Sequence, residues 1–164
     1  MKADDLNKLR DLIGNFATAM LITRTADDQL HARPMEIVKV DDAGAIWFLS
    51  SDDSGKVHEI DRDTRVNVVF QKEHSLYVSV NGVASISQDR EKIAELWREP
   101  FRVWFSGGKD DPRISLIAVQ PQSAEFWDSQ GWNKVSYLLR AAQAYASGKT
   151  IEVREGEEHG VLAS

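Results

Sequence analysis

The sequence predicts a mainly β protein, an antiparallel sheet closed into a small barrel with a few helices around it, and three observations predict it. First, five short β-like runs, Thr18 to Arg24, His31 to Val40, Ala45 to Ser50, Arg65 to Phe70 and Ser75 to Ser87, are separated by turn-rich pieces such as Ala26-Asp27-Asp28 and Asp41-Asp42-Ala43-Gly44. That is the pattern of hairpin-connected strands. Second, the fifth run alternates strictly, with Leu76, Val78, Val80, Ala84 and Ile86 on one face and Tyr77, Ser79, Asn81, Ser85 and Ser87 on the other. Third, Gly82 interrupts that run where a bulge or bend is expected, and flat sheets do not close without bulges or kinks. A barrel is therefore favoured over a sandwich.

The elements follow in order. Leu6, Leu9, Leu12 and Ile13 fall three and four apart after Asp4-Asp5, whose charges suit a helix N-terminus, so an amphipathic first helix is expected across the barrel or over one end. Ser54 to Asp61 reads as a short helix, and Asp89 to Arg98 as another, with Ile93, Leu96 and Trp97 inward and Ser87 as N-cap. Two further strands, Ile114 to Val119 and Ser123 to Trp127, lead to a helix from Lys134 to Ser147 that Gly148 ends. Residues 1–148 form one domain, and 149–164 form a loosely held C-terminal tail without a strong period.

Composition narrows the function. The 164 residues are 42% hydrophobic and 28% charged, ordinary for a globular chain, and the net charge of −6 without a Lys/Arg cluster argues against nucleic acid as a partner. With no cysteine, thiolate catalysis, Cys-bound metal and iron–sulfur chemistry are excluded, so any redox chemistry needs a borrowed cofactor. The acidic N-terminus does not fit a signal peptide, and no stretch approaches the roughly 20 apolar residues of a membrane helix, so a cytoplasmic protein away from membranes is expected. His31, His58, His74 and His159 show no metal-ligand spacing, and there is no Gly-x-Ser-x-Gly elbow, so neither a metal nor hydrolase chemistry is expected.

Arg33, Pro34, Ser50, Ser54 and Lys56 stand out as candidates for binding. An Arg offers a fixed fork of donors to phosphate, and a helix start at Ser54-Gly55-Lys56 offers free backbone N–H groups, so together they suit a phosphorylated ligand. Pro34, confined to an edge or bulge, leaves neighbouring backbone groups to a planar ligand. Ser50 ends its strand at the mouth of the helix. Phe48 and Leu49 suit either core packing or the apolar wall of a pocket.

The order of segments Met20-Leu21-Ile22-Thr23, Leu30-His31-Ala32-Arg33-Pro34-Met35, Ile46-Trp47-Phe48-Leu49-Ser50, Trp104 to Pro112 and Ala124-Glu125-Phe126-Trp127-Asp128 resembles the general-stress-protein branch of the pyridoxamine phosphate oxidase-like flavoproteins, from about Leu12 to Tyr145. The resemblance implies an antiparallel Greek-key FMN-binding split barrel and a homodimer with the flavin at the subunit interface. It further implies that Arg33 holds the flavin phosphate with Ser54 and Lys56, that backbone at Pro34 and Met35 follows the isoalloxazine edge, and that Trp127 approaches the flavin from the partner subunit. Trp104 and Phe105 would wall the flavin across that interface or bury their own loop, and Tyr77 stands where the family places a partner-supplied Gln.

The departures carry information too. Gly55 replaces the middle residue of a Ser-Arg-Lys, and Val38 stands where a Lys is expected. Asp128-Ser129-Gln130-Gly131-Trp132-Asn133 replaces the Arg-Leu-His-Asp-Arg segment that binds pyridoxal phosphate, so vitamin B6 oxidation is not expected. An FMN-dependent oxidoreductase of unknown substrate, with no assignable catalytic acid or base, is the leading expectation. A non-catalytic flavin-binding stress-response module is the alternative, and a haem- or deazaflavin-binding barrel a weaker one.

Overall fold

The computed structural model describes residues 1–72, 75–128 and 159–163. Helix α1 (Ala3–Ile13) is followed by strands β1 (Thr18–Arg24), β2 (Leu30–Glu36), β3 (Lys39–Val40) and β4 (Ile46–Ser51), then helix α2 (Gly55–Arg62), strands β5 (Arg65–Lys72) and β6 (Leu76–Ser87), and helix α3 (Arg90–Leu96). Two short 3-10 turns, Glu99–Val103 and Gly108–Asp110, lead to the long strand β7 (Ile114–Asp128), and β8 (His159–Leu162) closes the described chain. The expected helix from Lys134 to Ser147 lies outside the described residues.

All pairings are antiparallel, in the order β2-β1-β5-β6-β7-β4-β3, with β8 added alongside β7. The ends of that order are consecutive in the chain, and this is what curls the sheet. The run read from sequence as one strand, His31 to Val40, is two: Ile37 N–H donates to Ala17 beside β1 at 2.8 Å, and the next residue, Val38, donates to Trp47 of β4, also at 2.8 Å. One segment thus serves both edges of the sheet, giving a split barrel.

Inside lie alternating residues of every long strand, among them Leu21, Phe48, Val68, Phe70, Val78, Val80, Ile117 and Phe126, all essentially without solvent exposure. Helix α1 closes one end by burying Leu9 and Ile13 in this core. A second cluster, Val38, Ile93, Leu96, Phe101, Phe105, Ile114 and Leu116, packs α3 and the first 3-10 turn onto the other face of β4 and β7.

The expected bulge is present. Asn81 pairs with Ser123 but Gly82 with Pro121, so Gln122 is the extra residue on β7. A Cβ at Gly82 would sit 2.6 Å from the Gln120 carbonyl and 2.8 Å from Val119 Cγ1, which is why glycine occupies the crossing. The bulge also lets the two expected strands, Ile114 to Val119 and Ser123 to Trp127, run as one through Pro121.

Two other expectations change. Asp89, not Ser87, caps α3: its carboxylate accepts from the N–H groups of Glu91 and Lys92, while Ser87 Oγ accepts from Asp89 N–H. A carboxylate directly preceding the first turn reaches those donors and suits the helix dipole better than a hydroxyl two residues further away. And part of the tail read as loosely held is a strand, because His159–Leu162 satisfies the open edge of β7 and buries Leu162 in the core. No described helix is long and apolar enough to cross a membrane.

Candidate functional site

Three elements meet around a cleft of about 390 Å³. Strand β2 supplies Pro34 and Met35, the end of β4 supplies Leu49, Ser50 and Ser51, and the first turn of α2 supplies Lys56. Across from them the 3-10 turn after α3 contributes Phe101, and the loop that follows it Trp104 and Phe105. The volume lies in the range of small-molecule sites, and the lining has their character: an apolar wall with a few convergent polar groups. Val38 lines it too, occupying with a buried side chain the place where the sequence resemblance expects a Lys.

The polar end is built by the β4–α2 connection. Ser54 has the extended backbone of an N-cap but makes no side-chain capping bond; its hydroxyl instead meets Ser50 Oγ at 2.8 Å. Among the described residues the N-terminal amides of α2, beside Lys56, therefore have no side-chain acceptor. Burial, then the positive charge of Arg33, lower the Lys56 pKa from its ordinary value, with Glu59 and Asp53 opposing. A cation held partly out of water next to another cation and a helix N-terminus is suited to an anion.

Arg33 itself is not in the cleft wall. It reaches behind α2, where Nη1 donates to Thr23 Oγ1 at 2.6 Å and Nη2 to Glu59 Oε2 at 2.8 Å. Thr23 Oγ1 donates in turn to the same Glu59 oxygen, and His31 Nδ1 lies 3.2 Å from the other one. The ring is shielded, with Arg33 and Glu59 side chains 21% and 15% exposed. Burial pushes the Glu59 carboxyl up, but the Thr23 hydrogen bond, the Arg33 charge and the bonds from His31 and Arg33 outweigh it, so it titrates below the ordinary range.

The sequence-selected residues thus divide. Pro34, Met35, Leu49, Ser50, Lys56, Trp104 and Phe105 come together in the cleft, and Ser54 and Arg33 stand directly behind it. Phe48 does not reach the cleft: with strand alternation putting Leu49 toward it, Phe48 faces the barrel interior and is fully buried. Tyr77 and Trp127 are cross-strand neighbours on the outer face of β6 and β7, away from the cleft of their own chain, 37% and 42% exposed. Trp127 stacks on His159 at 5.4 Å, whose Nε2 meets Glu125 at 2.8 Å.

Glu59, Thr23 and Phe101 were not singled out from sequence. Glu59 carries a readable signal, since it falls three residues after Lys56 on one helix face. Thr23 and Phe101 carry none, because only the barrel's curl and the turn after α3 bring them here.

A model of the "Pyridoxamine 5'-phosphate oxidase like" family matches residues 4–152. The chain belongs to the pyridoxamine 5'-phosphate oxidase-like family. Among relatives it is similar to protein bli-3 of Neurospora crassa, 26% identical over 164 aligned residues that cover 93% of this chain and 78% of that protein. Among solved structures of this kind, a putative general stress protein 26 from Jannaschia sp. CCS1 superposes with a TM-score of 0.74 at 25% identity, covering 99% of this chain and 100% of that one. The general stress FMN/FAD binding protein from Xanthomonas citri superposes with a TM-score of 0.64 at 27% identity, covering 77% and 89%. The split-barrel fold is shared with these family members, and the cleft lies within the matched residues.

Proposed function

We propose that this chain is an FMN-binding flavoprotein of the general stress type and a flavin-dependent oxidoreductase, acting as a homodimer in the cytoplasm. The observation that carries the reading is the convergence of Pro34, Met35, Ser50 and Lys56 from three elements on one cleft with an apolar far wall. The donor set fits the group: Lys56, the α2 amides and the Ser50–Ser54 hydroxyls suit the phosphate and ribityl chain, with Arg33 behind them, and Met35, Leu49 and Phe105 suit an aromatic ring system. The X. citri relative, described as FMN/FAD binding, supports a flavin.

When bound, the flavin supplies the electron transfer. The chain's own residues bind and orient it: Lys56 and the α2 amides hold an anion, the extended β2 backbone at Pro34 lies open to a planar edge, and Phe105 keeps water off the wall. Among the described residues, the titratable side chains lining the cleft are Glu36 and Lys56. Among the described residues lining the cleft there is no histidine.

The dimer reading is supported by the outer face of the sheet, where Tyr77, Trp127 and Val161 leave apolar surface exposed on the adjoining strands β6, β7 and β8. A second copy placed there gives Tyr77 and Trp127 a route to the partner's flavin. Light scattering should return a dimer, and a monomer that still holds flavin contradicts this part of the reading.

Denaturing release of whatever the purified protein carries, followed by mass and absorbance, is the test. FMN in the supernatant supports the reading; saturable uptake of haem or deazaflavin with no flavin uptake overturns it. Bleaching of the bound flavin by NADH or NADPH and its reoxidation by an acceptor support turnover, and a flavin inert to both makes the protein a binding module.

A further inference from the structure

We propose that Glu59 is the positioning residue of the phosphate clamp, holding Arg33 in the orientation in which its spare N–H donors serve the anion at Lys56. The inference rests on the flavin reading above. Its geometry is a closed ring from three elements: Arg33 on β2 donates to both Thr23 on β1 and Glu59 on α2, and Thr23 passes its own proton to the same Glu59 oxygen. A guanidinium has five N–H donors, and two are spent in the ring. The others stay with a group whose long side chain is otherwise free to rotate among many rotamers.

Fixing Arg33 before the ligand arrives removes an ordering cost from binding. The ring also ties α2, the helix that presents Lys56, to the strand pair that presents Pro34 and Met35. His31 Nδ1, at the exposed edge of the ring, lies 3.2 Å from the second Glu59 oxygen, so both oxygens of the carboxylate have partners. Glu59 stands one helical turn after Lys56 and opposes the Arg33 charge there, leaving, among the described residues, Asp53 alone to do so if it is removed.

A purely structural brace would affect all ligands of the cleft alike, whereas a positioning residue acts on the phosphate. The experiment titrates apoprotein with FMN and with riboflavin, which differ by the phosphate alone, and reads the ratio of the two dissociation constants. Glu59→Ala should cut the preference for FMN about tenfold, the loss of one charge-assisted hydrogen bond, while riboflavin affinity stays the same. Glu59→Gln, which keeps an acceptor for Arg33, should restore most of it. In an Arg33→Ala background Glu59→Ala should change the ratio no further, and this holds even where the single variant is less stable.

An unchanged or increased FMN preference in Glu59→Ala overturns the proposal while leaving the flavin reading standing. Additive effects in the double variant do the same. A wild-type protein that binds neither FMN nor riboflavin overturns both.

Discussion

Phe48 and Leu49 are neighbours on one strand, yet they belong to two different parts of the molecule. Phe48 faces a barrel interior filled by side chains from every long strand, while Leu49 faces the second cluster and the cleft above it. The interior is held by many mutually buried apolar groups contributed by regular alternation. The cleft is held by a few long-range polar contacts and by irregular turns. The barrel therefore sets stability, and the cleft can vary its chemistry at little cost to the fold.

Substitutions should separate the two regions. Phe48→Ala should have the largest effect, about 3–5 kcal/mol of stability by denaturant unfolding, because it leaves a cavity in a fully packed interior. Leu49→Ala should cost less than about 2 kcal/mol, since it is only half buried, and should weaken flavin binding at the same time. A Leu49 variant as unstable as the Phe48 variant would erase the distinction.

Gly82→Ala should cost about 1–3 kcal/mol, because the new methyl meets the Gln120 carbonyl backbone and Val119 at the bulge. Flavin affinity per folded molecule should be unaltered. Lys56→Ala and Arg33→Ala make the opposite prediction, each lowering FMN affinity by about 1–3 kcal/mol in a titration of apoprotein, with a smaller change in unfolding midpoint. Unchanged affinity in both variants would discredit the phosphate assignment.

The smallest effect is on pH dependence. Glu59 titrates below its ordinary value in the folded chain, so its contribution is present above the ordinary carboxylate range and is lost as pH falls through the folded value. Glu59→Gln should flatten the acid side of the stability profile in that window. Lys56, shifted down by burial and by Arg33, should lose its charge at lower pH than an exposed lysine. FMN affinity should accordingly fall before the ordinary lysine range is reached, and Lys56→Arg should move that fall upward.

The same contrast explains what was legible in the sequence. The alternation of Leu76, Val78 and Val80, the glycine at the bulge and the spacing of Leu9 and Ile13 are local signals, and each maps directly onto the barrel. The break at Ile37–Val38 was invisible, because it depends on two sheet edges meeting, a property no window of sequence contains. Strand β8 was missed because His159–Leu162 has no period of its own and owes its structure to the edge of β7. At the site, Pro34, Ser50 and Lys56 were readable from residue type and order, but Glu59 acquires its meaning from Thr23 and Arg33, 36 and 26 positions away.

A crystal structure of the protein with FMN tests the central claim most directly. The account predicts a flavin in the cleft with its phosphate within hydrogen-bonding distance of Lys56 Nζ and of the Gly55–Lys56 amides, and its ring beside Pro34 and Met35. A flavin seated elsewhere, or a phosphate anchored by side chains other than Lys56 and Arg33, would contradict it.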